Sequence, residues 1–192
     1  MMPPKDDAMT KNLPIITSEK VADLGGRSQL RRVAYTFPDQ TSHAYDIFDL
    51  RKTMQGSAAL LPIDDEGNIY LIEEFLAAEG KFGLSLARGG IEVGEDPAVA
   101  ALRELQEEAG LTCEKVVPLW AGCVIPSASS WHVHIFLGYG VRTVPQTGGD
   151  EFGGTKTIKM PLADAVANVK SGKLPGALLG LAVLLAAQEV LG

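Results

Sequence analysis

Three glutamates, Glu104, Glu107 and Glu108, have a spacing that places them together on one face of an α-helix. Like charges at this spacing repel each other by about 0.2–0.5 kcal/mol per pair. A solvated acidic face is the ordinary explanation for such a cluster. Hard cations such as magnesium also take carboxylate oxygens as ligands, and a helix supplies several of them without long loops. The spacing therefore makes a metal site the alternative to be tested.

The helix that carries these glutamates has clear start and stop signals. Asp96 is a suitable N-cap, Pro97 suits the first helical position, and Gly110 suits the C-terminal end. A Gly-rich turn at Gly89 is expected to precede the helix. We expect small side chains at Ala100 and Ala101 to leave room beside the acidic face. Helical periodicity predicts a core-facing side made of Ala98, Leu102, Leu105 and Ala109.

The whole stretch from residue 89 to 111 resembles the signature of the Nudix family. Gly89 is followed after five residues by Glu95. After seven more residues comes Arg103-Glu104-Leu105-x-Glu107-Glu108-x-Gly110-Leu111, which fills every fixed position of that signature. We call residues 89–111 the Nudix box. The resemblance implies a loop–helix–loop that holds a divalent cation, Mg²⁺ or Mn²⁺, against a pyrophosphate.

The resemblance also implies roles for individual residues. Glu104 and Glu108 are the implied principal metal ligands, and Glu107 is a further ligand or a group that orients water. A backbone carbonyl near Gly89 would complete the site. Arg103 would orient a box glutamate through a charge-assisted hydrogen bond, and Glu95 would hold the loop against the helix.

The implied reaction is attack of water on a pyrophosphate phosphorus, assisted by the metal. In this branch of the family the catalytic base is often a glutamate in the loop before the last strand. Glu151 is the first candidate here and Asp150 the second. An ordinary solvated loop acid is the competing interpretation of Glu151. The implied substrate is a small nucleotide, a nucleoside diphosphate linked to another moiety. The alternative is a Nudix domain that binds nucleotide for regulation without turnover.

Within the family the chain resembles the branch of ADP-ribose pyrophosphatases and the ADP compounds hydrolase. Leu76, Ser85 and Trp131 depart from the ADP-ribose pyrophosphatase pattern, which has Arg or Glu at or near these positions. The ADP compounds hydrolase group also lacks that Arg and has a basic residue where this chain has Arg88. ADP-ribose or a related dinucleotide is therefore the expected kind of substrate. Arg88 and Ser127 are the candidates for substrate contact, although Arg88 is equally consistent with a solvated side chain.

Composition sets limits on the class of protein. The chain has 192 residues, 46% hydrophobic and 21% charged, as in globular proteins. A net charge of −7 gives no attraction for nucleic acid or an anionic membrane. Cys113 and Cys123 have no metal-ligand spacing and favour free thiols in a reducing compartment, with one disulfide as the alternative. The N-terminus has no apolar segment typical of a signal peptide, so a cytoplasmic location is expected.

The fold class implied is α+β, a Nudix α/β/α sandwich with a mixed sheet. Residues 1–16 are predicted to be a poorly ordered tail and residues 57–192 the Nudix domain. Residues 17–56 are predicted to form an antiparallel strand pair, Ser28–Phe37 with His43–Leu50. Such a pair contributes to a homodimer in several Nudix subfamilies, and a homodimer is expected here.

Several other patterns have a structural and a functional interpretation. Residues 57–63 and 69–75 predict two strands joined as a hairpin, and turn chemistry explains Asp64 and Asp65 better than metal binding. His132 and His134 share one face of a predicted strand, either as a metal pair or as a polar face beside the substrate cleft. Residues 176–191 predict an apolar helix that packs in the protein and does not span a membrane.

Overall fold

The structure is a computed structural model that describes residues 13–24, 28–50, 54–148, 155–174 and 176–191. The described residues separate into two compact units. The first consists of the described part of residues 1–52 together with Ile125–Trp131. The second consists of the remaining described residues from 54 onwards.

The N-terminal unit is an antiparallel sheet in the order β1-β2-β3. Its strands are β1 (Ile15–Asp23), β2 (Ser28–Thr36) and β3 (Ser42–Leu50). The predicted pairing of β2 with β3 is confirmed. Strand β1 was not predicted, and Ile15 and Ile16 of the expected tail belong to it, whereas residues 1–12 lie outside the described residues. From Ile15 to Ala22 every residue is exposed, so β1 has no buried face to produce a period-two pattern.

A polar pair and a returning segment complete the N-terminal unit. The Arg31 guanidinium donates a hydrogen bond from Nε to the buried carboxylate of Asp49. The segment Ile125–Trp131 lies along β3, where Phe48 N–H donates to the Ala128 carbonyl at 2.8 Å. The loop that holds Ser127 thus belongs structurally to the N-terminal sheet.

The second unit contains the predicted Nudix core. Its described strands are β4 (Met54–Pro62), β5 (Asn68–Leu76), β6 (Lys81–Ser85), β7 (Ala87–Glu92), β8 (Leu111–Thr112), β9 (Lys115–Cys123), β10 (His132–Tyr139), β11 (Arg142–Thr143) and β12 (Lys156–Pro161). Its described helices are α1 (Pro97–Ala109), α2 (Leu162–Lys170) and α3 (Ala177–Leu191). The α+β class expected from the sequence is confirmed.

The central sheet has the order β7-β4-β10-β9. Strands β4 and β10 run parallel, and the other two pairings are antiparallel, which makes the sheet mixed. Ala58 and Leu60 of β4 are fully buried and belong to the same core cluster as Leu105 of α1. This packing fixes α1, and with it the three glutamates, against the central sheet.

A second, antiparallel sheet has the order β12-β5-β6. The predicted hairpin between β4 and β5 is wrong, because the two strands belong to different sheets, although a bridge between Ile63 and Ile69 joins the chain at the turn. The turn itself forms as predicted, since Asp64 Oδ1 accepts the N–H groups of Glu66 and Asn68 at 3.1 and 2.8 Å. The chain therefore uses this turn to pass from one sheet to the other.

The last helix, α3, buries Leu179, Ala182, Val183 and Ala186 and packs against β9 and β10. Among the described residues no helix is long and apolar enough to cross a membrane. No disulfide joins Cys113 and Cys123. Burial raises the pKa of the Cys113 thiol to about 11.

Candidate active site

Helix α1 begins and ends where its local sequence signals predict. Asp96 has an extended backbone, and its carboxylate accepts the N–H groups of Ala98 and Val99 at 2.9 and 3.3 Å. Gly110 closes the helix in the left-handed conformation, at φ 61°, and donates its N–H to the Gln106 carbonyl. The three glutamates consequently share one rigid element.

The buried side of α1 differs from the predicted one. Ala100, Ala101 and Leu105 are 0–1% exposed, and Glu104 is only 9% exposed. Ala100 and Ala101 are therefore core residues, whereas the prediction had them flank the acidic face. The cause is the helical period, which places Glu104 one turn after the two alanines on the same side. The other predicted core residues are half-buried and pack around this cluster: Ala98, Leu102 and Ala109.

The glycines of the box lie in a strand and not in the predicted turn. Gly89 and Gly90 belong to β7, and the chain turns later, at Val93-Gly94. A Cβ atom at Gly89 would lie 2.1–2.2 Å from the carboxylate atoms of Glu104. Position 89 must therefore be glycine so that the strand can approach this glutamate. The close approach brings the Gly89 backbone and the Glu104 carboxylate into one site.

Arg103 ties the helix to the strand and to two of the glutamates. Its Nη1 donates to Glu104 Oε1 at 2.7 Å and to Glu107 Oε2 at 3.3 Å. Its Nη2 donates to the Gly90 carbonyl at 2.8 Å, and its Nε donates to Glu95 Oε1 at 3.0 Å. The contact from Arg103 to a box glutamate that the resemblance implies is thus present. The guanidinium fixes the orientation of the Glu104 carboxylate.

Glu95 links the loop to this network. It accepts two hydrogen bonds from Arg103 and, through Oε2, the Glu92 N–H at 3.0 Å. The bond from Arg103, with the one from the Glu92 backbone, lowers the pKa of Glu95 below its usual range. Glu95 is therefore an ionised anchor that holds the loop before α1 in place.

Glu108 has a different electrostatic environment. Its Oε2 accepts the Arg88 N–H at 2.9 Å. Burial raises the pKa of Glu108 to about 7, with further contributions from the negative charges of Glu104 and Glu74. The hydrogen bond and the charge of Arg88 only partly oppose this rise. A half-buried carboxylate of this kind gains stabilisation from a cation placed beside it.

The side chain of Arg88 reaches the second sheet. Its Nη1 donates to the Ser85 hydroxyl and lies 3.4 Å from Oε1 of Glu74 on β5. Sequence reasoning gave Glu74 no role, because its neighbours along the chain do not reveal a partner on another strand. The sequence signal for Glu74 was its position two residues after Ile72. Ile72 is buried, and residues two apart in a strand share a face, so Glu74 points to the same side.

Residues on both sides of the segment 149–154 bind the C-terminal end of α1. Gln146 Nε2 donates to the carbonyls of Glu107 and Glu108, each at 3.1 Å. The Thr155 hydroxyl also donates to the Glu108 carbonyl. These bonds satisfy carbonyls that the helix itself leaves unpaired. Glu151 and Asp150, the predicted base candidates, lie outside the described residues.

The other residues singled out in the sequence lie elsewhere. Ser127 is exposed in a turn of the N-terminal unit. His132 is exposed, and the half-buried His134 ring stacks on Phe136 with 6.5 Å between centroids. Asp64 is engaged in its own turn.

The donor set suits a hard divalent cation. Carboxylates of Glu104, Glu107 and Glu108 and the Gly89 backbone offer only oxygen atoms, as Mg²⁺ and Mn²⁺ prefer. The Glu104 carboxylate can approach the Gly89 backbone because glycine has no Cβ atom. In the described part of the chain no three acidic, histidine or cysteine side chains are already gathered at metal-ligating geometry. The residues therefore fit the ion by chemistry and placement, and the side chains must adjust to bind it.

Comparison with known proteins agrees with this geometry. Residues 53–176 match the model of the NUDIX domain, and the chain belongs to the Nudix family. It is 31% identical over 119 residues to the ADP-ribose pyrophosphatase of Bacillus subtilis, covering 60% of this chain and 63% of that protein. It is 30% identical over 122 residues to the methanol dehydrogenase activator of Bacillus methanolicus, covering 62% of this chain and 65% of that protein. The matched region thus spans slightly less than two thirds of each relative.

A solved structure described as ADP compounds hydrolase has the same fold. The TM-score is 0.79, with 20% sequence identity and coverage of 93% of this chain and 95% of that one. At this identity the likeness establishes the fold alone. The Nudix sandwich expected from the box is thereby confirmed.

Proposed function

We propose that the protein is a Nudix pyrophosphohydrolase that hydrolyses the pyrophosphate bond of a nucleoside diphosphate linked to another moiety. The observation that carries the proposal is the network in which Gly89, Arg103 and Glu95 hold Glu104 beside Glu107 and Glu108. Arg103 offsets one of the negative charges of this cluster, and a divalent cation would offset the others. The complete box supports turnover, since each acidic position that metal-dependent chemistry requires is filled.

We assign Glu104, Glu108 and the Gly89 carbonyl as ligands of Mg²⁺ or Mn²⁺, with Glu107 as a further ligand. These residues would hold a divalent cation, which would neutralise phosphate charge and lower the pKa of bound water. Arg103 acts on the reaction by fixing the Glu104 carboxylate through the 2.7 Å hydrogen bond. Its bond to the Gly90 carbonyl keeps the strand side of the site in register with the helix.

Glu151 is our candidate for the general base, followed by Asp150 and Glu107. The support comes from its flanks, since Gln146 and Thr155 both bind the carbonyl of Glu108. Gln146 and Thr155 therefore contact the end of the helix that carries the proposed ligands. The base would take the proton from the attacking water, and such assistance is typically worth about 10²–10⁴-fold in rate.

An ADP compound, such as ADP-ribose or a related dinucleotide, is the proposed substrate class. Support comes from the similarity to the ADP-ribose pyrophosphatase of Bacillus subtilis. Arg88 and Ser127 remain our candidates for substrate contact. The proposed setting is the cytoplasm. The net charge of −7 repels a phosphate-bearing substrate, so its binding would need a bridging divalent cation, and the same charge gives no support for nucleic acid.

Purified protein assayed with Mg²⁺ against a panel of ADP-ribose, NADH, diadenosine polyphosphates and sugar nucleotides tests this proposal. We expect release of a nucleoside monophosphate from at least one ADP compound, and loss of that release in Glu108→Gln. Absence of hydrolysis across the panel, or equal rates in the variant, contradicts the proposal.

A regulatory role is the second candidate, and a specific comparison favours it. One relative bears the name methanol dehydrogenase activator. A Nudix domain acting through binding alone would retain ADP-ribose at the site without cleaving it. Equilibrium binding with no product formed, in the same Mg²⁺ buffer, would favour this alternative over hydrolysis.

We also propose that the protein is a homodimer that uses the N-terminal sheet. The apolar side chains of Ile15, Ile16 and Val21 on β1 are more than half exposed, which a second copy could cover. Exposed strand edges are also a liability that pairing removes. A dimer mass by sedimentation at micromolar concentration is the expected result, and a monomer at that concentration contradicts it.

A further inference from the structure

The contact between Glu74 and Arg88 joins the second sheet to the strand that begins the Nudix box. Oε1 of Glu74 is buried, accepts no hydrogen bond from any residue that the structure describes, and lies 3.4 Å from Nη1 of Arg88. The contact is therefore ionic. A buried carboxylate oxygen without a hydrogen bond is costly unless an opposite charge compensates it, and the Arg88 guanidinium provides that charge.

Ser85 fixes the same guanidinium from a second direction. Its hydroxyl accepts a hydrogen bond from Nη1 of Arg88, and Ser85 is only 4% exposed. Ser85 lies at the end of β6, which pairs with β5, the strand of Glu74. Ser85 and Glu74, which both belong to the second sheet, therefore hold the Arg88 side chain against that sheet.

The backbone of Arg88 meets the helix. Its N–H donates to Oε2 of Glu108 at 2.9 Å, and the charges of both Arg88 and Glu74 act on Glu108. Glu108 is thus the neighbouring carboxylate to which the guanidinium could turn if Glu74 no longer held it. An arginine bound to Glu108 would occupy the oxygens that a divalent cation needs.

We propose that Glu74 is a positioning residue for the metal site: it holds the Arg88 guanidinium against the second sheet, so that Glu108 stays available to a divalent cation. This inference rests on the proposed function, because it assumes that Glu108 binds such a cation. It assigns to Glu74 an effect on metal binding that is exerted through Arg88 and involves no contact with substrate.

Metal binding, measured without substrate, tests the proposal. Free Mn²⁺ is followed by electron paramagnetic resonance during titration of the wild-type protein and of Glu74→Gln. We expect the Mn²⁺ dissociation constant to rise about two- to fivefold in the variant, the range of a partly exposed ion pair. The matched control is Glu73→Gln, the same change one residue earlier on the opposite strand face, and it should leave the constant unchanged.

The double variant Glu74→Gln/Arg88→Met distinguishes positioning from direct ligation. Removing the competing guanidinium should restore Mn²⁺ affinity to at least the wild-type value. An unaltered constant in Glu74→Gln overturns the proposal. So does a double variant as weak as the single one, because Glu74 would then act on the metal without Arg88.

Arg88→Met alone gives an independent result if Glu74→Gln does not fold, as judged by circular dichroism. It should bind Mn²⁺ at least as tightly as the wild type, and weaker binding overturns the proposal. A wild type that binds Mn²⁺ but hydrolyses no compound of the panel counts against the proposed function only. A wild type that binds no Mn²⁺ overturns both.

Discussion

Asp64 and Glu108 are both carboxylates with a basic residue nearby, yet their hydrogen-bond and charge environments are opposite. Asp64 accepts hydrogen bonds from the Asn68 N–H at 2.8 Å and the Tyr70 hydroxyl at 3.1 Å, and Lys159 Nζ lies 2.8 Å away. Glu108 accepts one backbone N–H and lies near two other carboxylates that act on it. Asp64 is fully occupied, whereas Glu108 has capacity for a further positive partner.

The pKa values of the two groups show the same contrast. Burial raises the pKa of Asp64, but the bonds from Lys159, Asn68 and Tyr70 outweigh it and hold this pKa well below its usual range. Burial raises the pKa of Glu108 to about 7, and the hydrogen bond from the Arg88 backbone does not reverse the effect. Asp64, with its several bonds, stabilises a turn, whereas a half-buried acid with a raised pKa, such as Glu108, is a candidate for binding and catalysis.

The largest expected effect comes from replacing Glu108 by glutamine, and the same exchange of acid for amide at Asp64 serves as its control. Glu108→Gln should lower the turnover of the preferred ADP compound more than about 10³-fold, because a group that holds charge-stabilising metal is lost. Asp64→Asn, the matched control, should keep turnover within about twofold. Initial rates at saturating Mg²⁺ check both. Circular dichroism should give a folded spectrum for Glu108→Gln, since an amide oxygen still accepts the Arg88 N–H.

Glu151→Gln separates the base from the ligands. The variant should lower kcat about 10²–10⁴-fold and leave Mn²⁺ affinity nearly unchanged, because a base acts on water and need not hold the metal. Single-turnover rates and Mn²⁺ titration supply the two quantities. If the variant keeps more than about half of the wild-type kcat, the base lies elsewhere, and Asp150 and then Glu107 should be tested.

The pH dependence of metal binding follows from the raised pKa of Glu108. Below about pH 7 this carboxyl is protonated, so Mn²⁺ affinity should fall by up to about tenfold per pH unit. The metal-free protein should respond in the opposite sense. The pKa of Glu108 is higher in the folded protein than in the unfolded chain. Protonation of Glu108 therefore stabilises the metal-free fold as pH falls from about 7 towards the ordinary glutamate pKa.

Titrations at pH 6 and pH 8 check this expectation. Glu108→Gln is the control, and its weaker affinity should change much less between the two pH values. Equal wild-type affinity at pH 6 and pH 8 would show that Glu108 does not limit metal binding through its protonation.

The smallest expected effect is on stability at Asp64. Asp64→Asn should reduce the free energy of unfolding at pH 7 by about 1 kcal/mol, the usual value of a lost side-chain hydrogen bond. Because the folded pKa of Asp64 is lowered, its contribution is present above the ordinary aspartate pKa and is lost as pH falls below it. Urea unfolding at pH 7 and pH 3 should therefore show a difference that shrinks at the lower pH.

Local signals made helix α1 predictable from the sequence. Asp96, Pro97 and Gly110 each act on the backbone of their own turn, so no distant contact is needed to place the helix ends. The resemblance to the Nudix box likewise indicated a bond from Arg103 to one of the box glutamates, which the structure shows to Glu104 and Glu107. The types and positions of these residues in the sequence were sufficient to predict the two ends of α1 and the arginine–glutamate bond.

Features that depend on distant parts of the chain were not predictable. The turn at Asp64 has the same chemistry whether its strands pair or enter different sheets, so the hairpin prediction failed. Strand β1 is exposed and has no pattern to detect. The burial of Ala100 and the pairing of Glu74 with Arg88 depend on which sheet face each strand presents, which appears only in the folded chain.

Dependence of hydrolysis on a divalent cation tests the central claim most directly. Hydrolysis of the preferred ADP compound should be measured in Mg²⁺, in excess chelator, and after Mg²⁺ is restored to the chelated sample. The carboxylate cluster at Glu104, Glu107 and Glu108 predicts that hydrolysis stops in chelator and returns with the metal. Wild-type rates that persist in excess chelator would contradict a metal-dependent role for these three residues.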